Sequence, residues 1–150
     1  MKSAPPALLT IGYEGKTAGA YIAQLTSAKV SVLCDVRHNP LSRKRGFSKR
    51  ALAAACAAVG IRYVHLPQLG IPTAERRNIK TPHDREVLFR KYSRTTLRRE
   101  TAAVGTIRSW VLTDGERVAL TCFEANPCEC HRHCVARALT QNGITGVLDL

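Results

Sequence analysis

Two short stretches concentrate the side chains that do chemistry. The first runs from Leu120 to Cys134, LTCFEANPCECHRHC, and holds Cys122, Glu124, Cys128, Cys130, His131, Arg132, His133 and Cys134. Thiols, imidazoles and a carboxylate in one segment offer proton transfer, nucleophilic attack or metal ligation. The second, Asp35 to Ser48, DVRHNPLSRKRGFS, joins an acid to Arg37, Arg43, Lys44 and Arg45 around Pro40. Guanidinium groups held on a stiff loop bind phosphate or carboxylate bidentately, so Arg37 and Arg43 are candidates for an anion clamp. A basic surface loop in which Asp35 pairs with an arginine is the simpler alternative.

Three readings of the cysteine-rich stretch stay open. In the catalytic one, Glu124 is a general base or nucleophile and His131 carries protons. Cys130 sits where a helix begins, which lowers a thiol's pKa, and Arg132 joins Arg37 and Arg43 on a developing negative charge. In the metal reading Cys128, Cys130, Cys134 and His131 or His133 bind zinc. Spacing opposes this, because structural zinc sites draw on separated ligand pairs, and His131 and His133 do not share a helix face. In the third reading Cys34, Cys56, Cys122 and Cys134 are small core residues. Within this stretch the phosphatase-like spacing of a cysteine, five residues and an arginine is not met, since six positions after Cys122, Cys128 and Cys130 stand Cys128, Cys134 and Ala136.

The elements that must position these groups follow from hydrophobic periodicity. Leu8–Tyr13, Val30–Val36, Ile61–Leu66, Arg117–Phe123 and Ile144–Leu150 read as strands. Helical spacing marks Thr17–Lys29, capped by Thr17, and an alanine-rich segment from a Ser48 cap to Gly60. It also marks His83–Leu112, broken or continuous, and a segment around Val135, Ala138 and Leu139 that Gly143 ends. Alternation of strand and helix predicts one three-layer, doubly wound α/β domain with a mostly parallel sheet, flavodoxin-like or Rossmann-like. The ends of the first, second and fourth strands then lie on one rim. The first of them carries Tyr13 and Glu14 between glycines, in IGYEG, with no complete phosphate-binding glycine motif.

With 150 residues, 45% of them hydrophobic, the chain is long enough for an ordinary core. Twenty-three basic residues against eleven acidic ones leave a formal charge of +12, which favours an anionic small molecule, a nucleotide or a nucleic acid as partner. From Arg76 to Arg99 basic residues interleave with Phe89 and Tyr92, a pattern that suits a nucleic-acid backbone as well as a solvated helix face. MKSAPPALLTIGYEG is too short and polar for a signal peptide or a membrane span. A cytoplasmic chain with no membrane partner and reduced cysteines is therefore expected.

Taken together, TIGYEG, DVRHNPLSRKRGF and CFE followed by CHR and an alanine-bearing helix resemble the bacterial and archaeal domain-of-unknown-function family numbered 488. The resemblance implies an α/β domain whose matched polar positions are Tyr13, Asp35, Arg37, Pro40, Ser42, Arg43, Cys122, Glu124, Cys130, His131 and Arg132. Cys128, His133 and Cys134 are additions to its C-H-R element and leave open a local metal site or a Cys128–Cys130 redox pair. The expected function is an enzyme acting on a phosphate-bearing or other anionic substrate. Tyr13, Ser42, Arg37, Arg43 and Arg132 bind it, and Glu124, His131 and Cys130 act on it. A nucleic-acid-binding module and a metal- or redox-linked regulatory module are the alternatives.

Overall fold

The structure, a computed structural model, describes residues 7–150. The first six residues of the N-terminal segment read above lie outside it. Five parallel strands form one sheet in the order β3-β2-β4-β1-β5: β1 Leu8–Gly12, β2 Val32–Asp35, β3 Arg62–His65, β4 Val118–Cys122 and β5 Leu148–Asp149. Strands β1, β2 and β4 are buried along their whole length, as their near-continuous apolar runs require in the middle of a parallel sheet. The helices are α1 Ala18–Ser27, α2 Lys49–Ala58, α3 Thr73–Arg76, α4 Pro82–Arg94, α5 Thr96–Arg99, α6 Thr101–Leu112 and α7 Arg132–Gln141.

Side chains alternate across the strands and divide the core in two. Leu9, Ile11, Leu33 and Ala119 pack with Tyr21 and Leu25 of α1 and Leu52 and Cys56 of α2. On the opposite face Leu8, Val32, Cys34, Leu120 and Cys122 pack with Tyr92 of α4, Ile107 of α6 and Val135 and Leu139 of α7. This is the three-layer arrangement expected from the alternation of elements. Its strand order is its own, since β4 stands between β1 and β2, where flavodoxin-like and Rossmann sheets keep those two adjacent. From β2 the chain moves outward to β3, and from β4 it moves the other way, past β1 to β5. The two strands whose exits diverge are neighbours, and ligands of open α/β sheets bind in the crevice at such a point.

Local chemistry sets most boundaries. Thr17 caps α1 by accepting from the Ala20 amide at 3.1 Å. Thr81 and Asp84 form a reciprocal capping box on α4, with Pro82 in its first turn. The stretch His83–Leu112 is three helices because the backbone leaves helical geometry at Thr95 and Glu100, and the Thr95 hydroxyl donates back to the Lys91 carbonyl at 2.8 Å. Strand β5 is two residues rather than the whole of Ile144–Leu150, since Gly143 and Gly146 both take positive φ and bend the segment. Ser48 stands at the start of α2 without capping it through its side chain. Its hydroxyl holds Ser42 instead, accepting from that residue's amide and donating to its carbonyl. Among the described residues no helix is long and apolar enough to cross a membrane.

Candidate functional site

Asp35 ends β2 with its side chain on the face covered by α1 and α2. The buried Arg37 turns back onto it, Nε donating to Oδ1 at 2.9 Å and Nη2 to Oδ2 at 2.7 Å. Arg37 Nη1 donates to the Phe47 carbonyl at 2.7 Å and the Tyr13 hydroxyl at 3.2 Å, and the Tyr63 hydroxyl donates to Asp35 Oδ2 at 2.5 Å. Burial opposes the charge of Arg37, but Asp35 outweighs it and raises the Arg37 pKa. Tyr13 is itself buried and stacked on Phe47 with ring centres 4.6 Å apart. Ser42 accepts from the Lys44 amide at 3.1 Å and so shapes its own loop, while Arg43 is exposed. The arginine loop is thus closed on internal partners, with Arg43 left at its surface.

Cys122 ends β4 on the opposite face. Its Sγ lies 3.3 Å from Glu124 Oε2, as the two-residue spacing on one side of an extended chain predicts. The loop after β4 lies so close to β1 that a Cβ on Gly12 would stand 1.8 Å from the Glu124 carbonyl oxygen, which explains the need for glycine there. The turn Pro127–Glu129, held by Asn126 accepting from the Cys128 amide, then leads into α7. There Cys130 meets Cys122 sulfur to sulfur, in a disulfide contact, across a Cα–Cα distance of 7.2 Å.

His131, buried next to them, has both ring nitrogens engaged. Nε2 is 2.7 Å from the Val36 carbonyl, and Nδ1 faces Cys130 Sγ at 4.0 Å. A carbonyl only accepts, so the proton is on Nε2 and Nδ1 presents its lone pair to the sulfurs. Burial, chiefly, with the charges of Arg76 and Arg132, brings the His131 pKa down to about 4 against the pull of Val36, which keeps the ring neutral at neutral pH. Sulfur and nitrogen atoms of Cys122, Cys130 and His131 all lie within 4.8 Å of one another.

Arg132 is fully buried beneath this loop. Its Nη1 donates to the Glu124 carbonyl at 2.6 Å and lies 3.5 Å from Cys122 Sγ, and its amide points at Cys130 Sγ at 3.4 Å. Its Nε is buried without a hydrogen-bond partner among the described residues. Burial raises the Glu124 pKa, only partly offset by a hydrogen bond from its own backbone amide and by the charges of Arg76 and Arg132. Glu124 and His131 form one wall of a pocket of about 180 Å³; Arg76 and Arg85 supply positive charge, Glu129 adds a second carboxylate, and Phe89 is among the apolar residues. A wider groove of about 520 Å³ between α4 and α7 shares Arg85 and Phe89 with the pocket and continues past Arg94 and Arg137.

The structure brings Glu124, Cys130, His131 and Arg132 together, while the side chains of Tyr13, Arg37 and Ser42 are engaged within the β2 loop and Arg43 is exposed. Asp35 and Cys122 fall on opposite sides of the sheet's period-two alternation, and the Arg37 guanidinium is engaged by Asp35, Phe47 and Tyr13. The zinc set read from the sequence is not assembled either. Cys128 is exposed, and Cys134 is a buried free thiol farther along α7. Cys122 takes their place. The relevant signal was its position at a strand end, where parallel neighbours β1 and β2 leave it beside the next loop. Arg76 and Arg85, missed as site residues, come from a basic stretch whose spacing does not indicate which side chains turn inward. No curated protein and no solved structure matches the chain. Residues 17–139 match the family model described as "Domain of unknown function DUF488", and the chain belongs to that family.

Proposed function

We propose that the protein is an enzyme acting on a phosphate-bearing or other anionic substrate in the pocket between the β4–α7 loop, α3 and α4. The observation that carries this reading is the pairing, in one cavity, of a half-buried Glu124 whose pKa burial raises with the guanidinium groups of Arg76 and Arg85. Burial makes this carboxyl hold its proton more tightly than a solvated one, which suits it to proton transfer, and two arginines beside it attract the anion. Nε2 of His131 is held by the Val36 carbonyl and Nδ1 is turned to the sulfurs, so its part is to position the wall, and Glu124 is the acid–base group. Arg132 braces the loop that carries Glu124.

The continuity of this pocket with the α4–α7 groove supports a second reading of the substrate. A polyanion such as a nucleic-acid strand would lie along Arg94 and Arg137 with one unit entering the pocket beside Arg85.

Binding of phosphate, mononucleotides and single-stranded oligonucleotides, followed by calorimetry, tests both readings. Arg76→Ala with Arg85→Ala abolishes binding of all three, whereas Glu124→Gln retains binding and loses turnover in a screen of phosphoester substrates. Oligonucleotide affinity that exceeds mononucleotide affinity and falls steeply with salt supports the polyanion. Absence of anion binding to the unaltered chain contradicts the proposal.

A further inference from the structure

The geometry points to a metal site formed by Cys122 Sγ, Cys130 Sγ and His131 Nδ1, suited to a zinc ion, with its fourth position turned toward Glu124. It rests on the pocket reading only for what the ion would do, since its ligands are independent of Arg76 and Arg85.

Four observations support it. The three donor atoms converge within 4.8 Å of one another although they come from a strand end and a helix start. Two sulfurs and an imidazole nitrogen are the donors zinc takes in tetrahedral sites. Second, His131 is arranged as a ligand. Nε2 donates to the Val36 carbonyl, which fixes the ring and leaves Nδ1 unprotonated toward the sulfurs, the outer-shell contact found behind metal-bound histidines.

Third, the 7.2 Å between the Cα atoms exceeds the span of about 4.4–6.8 Å that disulfides bridge. Two thiolates each about 2.3 Å from a zinc ion stand about 3.8 Å apart in tetrahedral geometry, so they suit the wider spacing. Fourth, charge and hydrogen bonding suit thiolates. The Arg132 guanidinium is 3.5 Å from Cys122 Sγ, and its amide is directed at Cys130 Sγ at 3.4 Å.

Three protein ligands leave one exchangeable position, the pattern of catalytic rather than structural zinc. Glu124, 3.3 Å from Cys122 Sγ and in the pocket wall, is the group beside that position. A water or an anionic oxygen of the substrate would occupy it.

The test is metal analysis of the whole chain purified under reducing conditions, with cobalt(II) substitution as a spectroscopic readout that needs no variant. One zinc per chain, thiolate-to-cobalt charge-transfer absorption, and six titratable thiols after chelation are expected. Cys122→Ser and Cys130→Ser each weaken zinc binding by about a hundredfold or more, while Cys128→Ala, Cys134→Ala and Glu124→Gln keep it. Failure of the chain to take up zinc or to show the cobalt band overturns the site. So does a Cys122–Cys130 linked peptide with only the four remaining thiols titrating in reduced preparations. Arg76→Ala with Arg85→Ala separates the two proposals. Zinc retained with phosphate binding lost supports both. Phosphate binding without zinc in the unaltered chain removes the metal alone, and zinc without phosphate binding removes only the anion pocket.

Discussion

Two arginines are buried at the same rim of the sheet, one after β2 and one at the start of α7, and they are treated differently by their surroundings. Arg37 is bidentate to Asp35 and also donates to Phe47 and Tyr13, and Tyr63 completes the carboxylate. Arg132 holds the Glu124 carbonyl, leaves its Nε without a partner among the described residues, and lies beside two sulfurs and a carboxyl that opens on a pocket. A satisfied polar cluster has nothing left to offer a ligand, and an unsatisfied one next to a cavity has. On the proposed reading the β2 loop contributes stability and the β4–α7 loop carries the chemistry.

The largest effect that sharpens this contrast is on folding. Arg37→Ala leaves Asp35 buried without its counter-charge and costs about 3–5 kcal/mol in urea denaturation, leaving phosphate affinity unchanged in the fraction that folds. A stable Arg37→Ala protein that loses phosphate binding breaks the contrast. Gly12→Ala comes next. Its new Cβ meets the Glu124 carbonyl, so a loss of about 1–3 kcal/mol together with weakened phosphate binding is expected, since the displaced loop carries the pocket wall. Tyr63→Phe removes one hydrogen bond to a buried carboxylate and costs about 2 kcal/mol by the same denaturation measurement, with no change in binding.

Arg76→Ala with Arg85→Ala reverses the pattern. Phosphate affinity falls at least about tenfold, equivalent to about 1.4 kcal/mol, while stability changes by about 0.5 kcal/mol or less. Arg43→Ala, at an exposed position of the satisfied loop, changes neither quantity measurably.

Much of the fold was legible in the sequence because period-two and period-3.6 apolar patterns mark elements that one buried sheet requires. The helices of the basic segment were less so. The breaks at Thr95 and Glu100 and the short α3 depend on tertiary packing, which overrides the modest propensities of those residues. At the site, Cys122 and Glu124 were legible as neighbours, because two residues apart at a strand end means one side. That Asp35 and Cys122 point to opposite faces depends on strand register, which places Asp35 opposite Thr121 rather than Cys122. Sequence spacing within either motif carries no trace of that pairing. Cys130 was legible as a residue at a helix start, but its meeting with Cys122 depends on the turn Pro127–Glu129 folding the loop back onto β4.

The most direct test of the division between the two loops is a phosphate titration of the labelled protein followed through backbone amide resonances. Shifts confined to residues 76–89 and 124–131, with the amides of residues 42–47 unmoved, are the predicted result. Saturable shifts centred on residues 42–47, with the β4–α7 loop silent, would return the anion site to the arginine loop and contradict the account.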